Sequence, residues 1–331
     1  MFFRSVRFWL IVAILVALPF RSPAPLIYRP GEGWSYEPYG SEGKWRRATA
    51  KEQLAVAQDA FDKKDYGTAL RASRFLLKHW ELSDYAPQAQ YLVGRCYEAR
   101  GQDVKAFKEY QKLLEKQPKI ADYHGILTRQ FEIANRYLAG KWFRVLRYIP
   151  LFPSMDRTAD MFTKIVRTGP YSDVAPEAQL KVGMAREKQK NFSQAAKAYE
   201  MAADRYHDRP KIASEALYRA GLAYKKQAQT AEYDQSAAGQ AIAVFTDFIE
   251  LYANDPRVPE AQKTILSLKH EQARGCFVTA QFYEKYKKWK SARLYYSEVV
   301  QLSQQEPDSP YATQAKQRIV ELEKRVAGSK K

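Results

Sequence analysis

The sequence predicts an all-α fold, a superhelical solenoid of repeated helix pairs, on three observations. Small residues recur 12 apart: Ala57 and Ala69, Gly94 and Ala106, Gly183 and Ala195, Ala280 and Ala292. Aromatic residues follow them three or four places later, among them Tyr97, Tyr110, Tyr199, Tyr283 and Tyr296. Glycine is sparse, 15 in 331 residues, and no segment reads as a strand. Two antiparallel helices explain this spacing: small residues let the backbones approach, and the aromatics fill the space beside them.

The elements follow in order. In residues 1–24, Arg4 and Arg7 precede an apolar run from Phe8 to Leu18, the layout of an export signal. The run is short for a membrane span. Pro25 after Ser22-Pro23-Ala24 disfavours cleavage, so both a signal peptide and a short N-terminal anchor fit. No cysteine follows the run, so no lipid-attachment signal is expected. Residues 25–48, rich in Pro, Gly and aromatics, read as an extended arm.

Six repeats fill residues 49–310. The second, YLVGRCYEARGQDVKAFKEYQKLLEKQP at 91–118, carries Gly94, Tyr97, Gly101, Ala106, Tyr110, Leu113 and Pro118, a complete tetratricopeptide pattern. Repeat 3 separates its small residues, Ala134 and Ala159, by 25, placing an apolar and basic insertion near 140–154. Repeat 5 separates Gly221 and Ala241 by 20, placing a polar insertion near 231–239 that reads as a solvated loop. Ala86-Pro87, Ala175-Pro176, Val258-Pro259 and Ser309-Pro310 mark helix starts. Residues 311–331 read as a capping helix with a basic tail.

Composition narrows the function. The net charge of +17 comes from basic residues scattered among acids, and export argues against nucleic acid. Cys96 and Cys276 are 180 residues apart and four histidines stand isolated, so neither a disulfide nor a metal site is expected. There is no GxSxG, HExxH or phosphate loop, so no enzyme and no cofactor are expected.

Three passages resemble the BamD family of outer-membrane protein assembly factors: residues 57–98, MDRTADMFTKIVRTGPYSDVAPEAQ at 155–179, and AQFYEKYKKWKSARLYYSEVV at 280–300. The resemblance spans roughly residues 48–300. It implies a non-enzymatic periplasmic scaffold at the outer membrane. Its N-terminal repeats would receive the C-terminal peptides of unfolded outer-membrane proteins, and its C-terminal repeats would hold the β-barrel assembly core subunit. The family's lipidated cysteine is absent, and the repeat 3 insertion is extra. A periplasmic adaptor serving peptidoglycan or envelope division is the alternative.

Counting from the small residue of each first helix places Leu54, Phe61, Tyr91, Arg95, Phe131, Asn135 and Leu138 in a peptide groove. Arg95 would pair with a terminal carboxylate, although the same aromatics also suit an inner packing layer. In the repeat 3 insertion, Lys141, Trp142, Phe143, Arg144, Arg147 and Tyr148 combine charge and aromatic surface, which fits a partner or an anionic membrane surface. Folding back over the repeats fits equally well.

Overall fold

The structure, a computed structural model, describes residues 26–29, 33–36, 45–145, 149–150, 154–230, 235–304 and 309–328. The 1–24 export segment lies outside them. Two compact units divide the chain, residues 1–123 and 124–331.

The first unit opens with a hairpin of β1 (Leu26–Arg29) and β2 (Gly33–Tyr36), which pairs Leu26 with Tyr36 and Tyr28 with Trp34. The sequence reading had an extended arm and no strands. The short ladder between these two tetrapeptides is a correction. The arm ends at Trp45, whose ring meets Phe75 edge-on at 5.8 Å beneath the Arg46 guanidinium. Two helix pairs follow: α1 (Ala50–Asp62) with α2 (Tyr66–His79), and α3 (Ala86–Ala99) with α4 (Asp103–Lys116). Thr49 caps α1 and Asp65 caps α2, each accepting a backbone N–H three residues on. Pro87 stands in the first turn of α3.

The second unit holds α5 (Tyr123–Leu138), α6 (Met155–Thr168), α7 (Ala175–Lys188), α8 (Phe192–Arg205), α9 (Pro210–Thr230), α10 (Gln235–Leu251), α11 (Val258–Lys285), α12 (Trp289–Leu302) and α13 (Pro310–Gly328). Between α5 and α6 lies the insertion, with β3 (Arg144–Val145) paired to β4 (Ile149–Pro150). First helices touch the next first helix as well as their own partner: α1 meets α3, α7 meets α9, and α11 meets α13. The polar insertion of repeat 5 differs from the expected loop. Residues 235–239 open α10, and Ala237 and Ala238 are buried, because consecutive alanines favour helix and fit against a neighbour.

The spacing of 12 reflects one turn used four times. Lys64, Gly101, Lys190 and Lys287 each stand seven places after the small residue, and each has φ between 56° and 66°. A single left-handed residue reverses the chain between the two helices. Gly101 does so without steric cost, whereas the three lysines hold it against their Cβ.

Across that turn the helices touch at the small residues. A Cβ on Gly94 would lie 2.3 Å from the Tyr110 ring, and one on Gly183 would lie 2.4 Å from Tyr199. The hydroxyls of Tyr110, Tyr199 and Tyr296 then donate to Glu98, Glu187 and Glu284 at 2.8, 2.9 and 2.9 Å. Each of these glutamates stands four places after its small residue. Glu187 also pairs with Lys226 on α9, and Glu284 with Arg318 on α13, so the carboxylate ties its own pair to the next helix. Burial pushes the Tyr199 phenol up, and the neighbouring Glu187 charge pushes it further.

α11 runs 28 residues, long enough to serve two cores. Ala261, Ile265 and Leu268 belong to a core shared with α7–α10, while Ala273, Cys276, Phe277 and Ala280 belong to one shared with α12 and α13. Its start is held by Arg257, whose guanidinium lies 4.8 Å from the Tyr218 ring centroid and 5.4 Å from that of Phe248. Arg257 donates to Asp255 at 2.7 and 2.8 Å and also pairs with Glu215. Both cysteines are buried, and neither forms a disulfide among the described residues.

Two outcomes follow. Gly183→Ala drives a methyl into the Tyr199 ring and destabilises the protein by about 1–3 kcal/mol, read as a lower thermal unfolding midpoint; an unchanged midpoint contradicts the close crossing. Arg257 hydrogen bonds hold the Asp255 carboxyl at about 2, below its ordinary 3.8. A depressed folded value means stability that is full above the unfolded carboxylate range, about 4, and lost as pH falls through about 2. Asp255→Asn therefore lowers the unfolding midpoint at pH 7, and the difference from the parent narrows on acidification below pH 4. A difference constant down to pH 2 removes the ion pair as its cause.

Candidate functional site

The expected groove residues separate by burial. In the first unit, Leu54 is buried among Ala50, Leu76, Trp80, Ala86 and Ala89, and so belongs to the core. Phe61, Tyr91 and Arg95 are half-buried and meet. The Arg95 guanidinium lies 5.3 Å from the Phe61 ring centroid and 5.8 Å from that of Tyr91, and Nη1 donates to the Tyr91 hydroxyl at 3.4 Å. Tyr91 is braced by Tyr110 at 5.9 Å. Residues 91 and 95 share a face one turn apart on α3, and Phe61 reaches them from the end of α1. Among the described residues Arg95 makes no ion pair. The arrangement is a cation held between two aromatic rings with its charge unmatched, which is suited to a carboxylate carried by an aromatic residue.

In the second unit the expected residues are mostly structural. Phe131 is buried, edge-on to Phe162 at 5.8 Å, with Lys181 Nζ 5.6 Å from its ring centroid. Leu138 is buried, and its carbonyl accepts from Lys188 Nζ at 2.6 Å. Asn135 turns its Oδ1 inward, where no described residue bonds to it. Leu54, Phe131 and Leu138 are therefore corrected from groove contacts to packing positions, whereas Asn135 stays half-buried. Where one first helix packs against its neighbours, inner apolar side chains are consumed by that contact.

The insertion divides in the same way. Phe143 is 3% exposed, stacked on Tyr137 at 4.1 Å with the Arg157 guanidinium 5.6 Å from its ring centroid. Its place in a membrane-facing patch is thus corrected: the ring closes the end of α5. Trp142 next to it is 50% exposed. Lys141 is half-buried. Arg144 lies in β3, but its side chain, together with Arg147 and Tyr148, lies outside the described residues.

Sequence counting missed a surface on α11. Val278, Phe282 and Tyr286 are exposed and stand four residues apart, on the side opposite Ala273, Phe277 and Ala280. The Phe282 and Tyr286 rings lie 4.7 Å apart. Lys285, Lys287 and Lys288 flank them. The spacing of four was visible in the sequence, but which stripe of an apolar helix faces the core was not.

Among the described residues, no group of His, Cys, Asp and Glu is arranged to hold a metal, and no helix is long and apolar enough to cross a membrane.

Burial sets a contrast within the insertion. Phe143→Ala costs about 3–5 kcal/mol, while Trp142→Ala lies within about 0.5 kcal/mol of the parent, both read by denaturant unfolding. Equal effects would contradict the placement of the two rings.

Residues 154–302 match the family model of YfiO, described as outer membrane lipoprotein, and residues 88–119 match a tetratricopeptide repeat model. No curated protein matches in sequence. Solved structures of similar fold include the MamA protein, 16% identical over 62% of this chain and 92% of its own, with a TM-score of 0.32. The apo form of RapI is 12% identical over 84% and 99%, with a TM-score of 0.31. A tetratricopeptide repeat protein from Parabacteroides merdae is 11% identical over 82% and 98%, with a TM-score of 0.32. At such scores these structures carry no functional inference. The all-α repeat solenoid and the two family matches support a BamD-like tetratricopeptide repeat protein.

Proposed function

We propose that the chain is a non-enzymatic periplasmic scaffold of the machinery that assembles β-barrels in an outer membrane. Its first two repeats bind the C-terminal peptide of an unfolded barrel protein. Its sixth repeat binds the core assembly subunit. Trp142 in the insertion touches an anionic membrane surface.

One observation carries the first assignment: Arg95, bracketed by Phe61 and Tyr91, has no acidic partner among the described residues. A peptide ending in an aromatic residue and a free carboxylate matches both features. The exposed stripe Val278, Phe282 and Tyr286 supports the second, since contiguous apolar surface of this kind marks partner contact. The stripe lies inside the segment that matches the outer membrane lipoprotein family.

Fluorescence anisotropy with a labelled peptide ending in phenylalanine tests the reading. Amidating the peptide terminus weakens binding about tenfold or more, the scale of one lost charge-assisted hydrogen bond. Arg95→Ala does the same, and the two losses do not add, because they remove one interaction. Unchanged binding by Arg95→Ala would overturn the peptide assignment. Cross-linking in native envelopes tests the partner: Phe282→Ala with Tyr286→Ala loses the core subunit while the peptide still binds.

A further inference from the structure

A cleft of about 770 Å³ opens in the second unit, between the C-terminal ends of α6 and α8 and the turn that precedes α7. Its floor is apolar and closed: Val166 and Tyr206 are buried, and the Tyr206 hydroxyl donates to the Pro170 carbonyl at 3.2 Å. Tyr171 and Met201 form the walls. Tyr171 is 96% exposed, which leaves a full aromatic ring in water beside the cleft. Arg167 and Arg205 line the mouth, and neither makes an ion pair among the described residues.

The same junction occurs in the first unit, and the comparison gives the cleft a meaning. Lys116 stands ten places after Ala106, as Arg205 stands ten places after Ala195. Glu81 stands six places before Pro87, as Pro170 stands six places before Pro176. In the first unit the cation has its partner: Lys116 meets Glu81 at 2.7 Å. In the second unit the carboxylate is replaced by proline, so Arg205 keeps its charge and loses its acid. Leu82 and Tyr171 occupy matching places and are both almost fully exposed, at 99% and 96%.

We propose that this cleft is a docking site for an acidic peptide segment with one large apolar anchor. The anchor seats between Tyr171 and Met201, over Val166. A carboxylate beside it takes the place at Arg205 that Glu81 fills at Lys116, and a second lies within reach of Arg167. The closed floor and concave shape suit a side chain rather than a flat bilayer, and the unpaired arginines select acidic residues around the anchor. The site is independent of the Arg95 assignment.

The test uses the full chain and a labelled decapeptide of aspartate and glycine with one central phenylalanine. The parent protein binds it, and the same peptide with lysine in place of aspartate does not bind. Arg205→Glu weakens binding about tenfold or more. Pro170→Glu, which rebuilds the internal pair of the first unit, weakens it similarly, without lowering the thermal midpoint. Arg95→Ala leaves it unchanged, which separates this site from the terminal-carboxylate site. Absence of binding by the parent overturns the proposal, as does unchanged binding by both variants. Phosphatidylglycerol vesicles serve as the competing ligand: if the two variants lose vesicle binding and keep the peptide, the cleft serves a membrane surface and the proposal fails.

Discussion

In repeats 2 and 4 a tyrosine ring lies against the bare backbone of a glycine on the facing helix, and its hydroxyl ends on a glutamate one turn further along. Repeat 6 makes the same bond between Tyr296 and Glu284, with Ala280 at the crossing. The rest of the stack depends on this arrangement. Close approach buries the ring, the buried hydroxyl needs an acceptor, and the acceptor's second oxygen recruits a cation from the next first helix, as in Glu187 with Lys226. One contact thus joins the helices of a pair and the pair to its successor.

The repeats that lack the tyrosine support this account. In repeat 5 the ring over Gly221 is Phe245, which has no hydroxyl, and the residue four places after the glycine is Lys225 rather than a glutamate. Repeat 3 has Leu138 and Thr163 at these two places, and repeat 1 has Phe61 and Ser73. Glutamate appears only where a phenol needs it. Where it is absent the second unit uses other links. Arg257 joins the start of α11 to Glu215, Tyr218 and Phe248, and the unbroken length of α11 carries the chain from one core into the next.

Packing this dense uses up inner side chains. Leu54, Phe131 and Leu138 are buried in the contacts between helices. The positions that retain chemistry are those where the repeat leaves a partner missing: Arg95 between two rings, the aromatic stripe of α11, and Arg205 opposite a proline. Each combines a charge or a ring with a neighbour that does not satisfy it, which is the physical condition for binding something else.

The sequence by itself determined the helix pairs, their order and the turn between them, because spacing of 12 and proline at helix starts are local rules that act within a few residues. It also placed Arg95 one turn from Tyr91, since residues four apart share a helix face. Only the tertiary structure decided which residues remain accessible. Phe143 and Trp142 are neighbours of similar character, yet one stacks on Tyr137 and the other stands half in water. Val278, Phe282 and Tyr286 form one of several apolar stripes on α11, exposed because α12 and α13 cover the opposite side. Hydrophobicity is a property of a residue, whereas burial is a property of what packs against it, and that comes from segments far away in the chain.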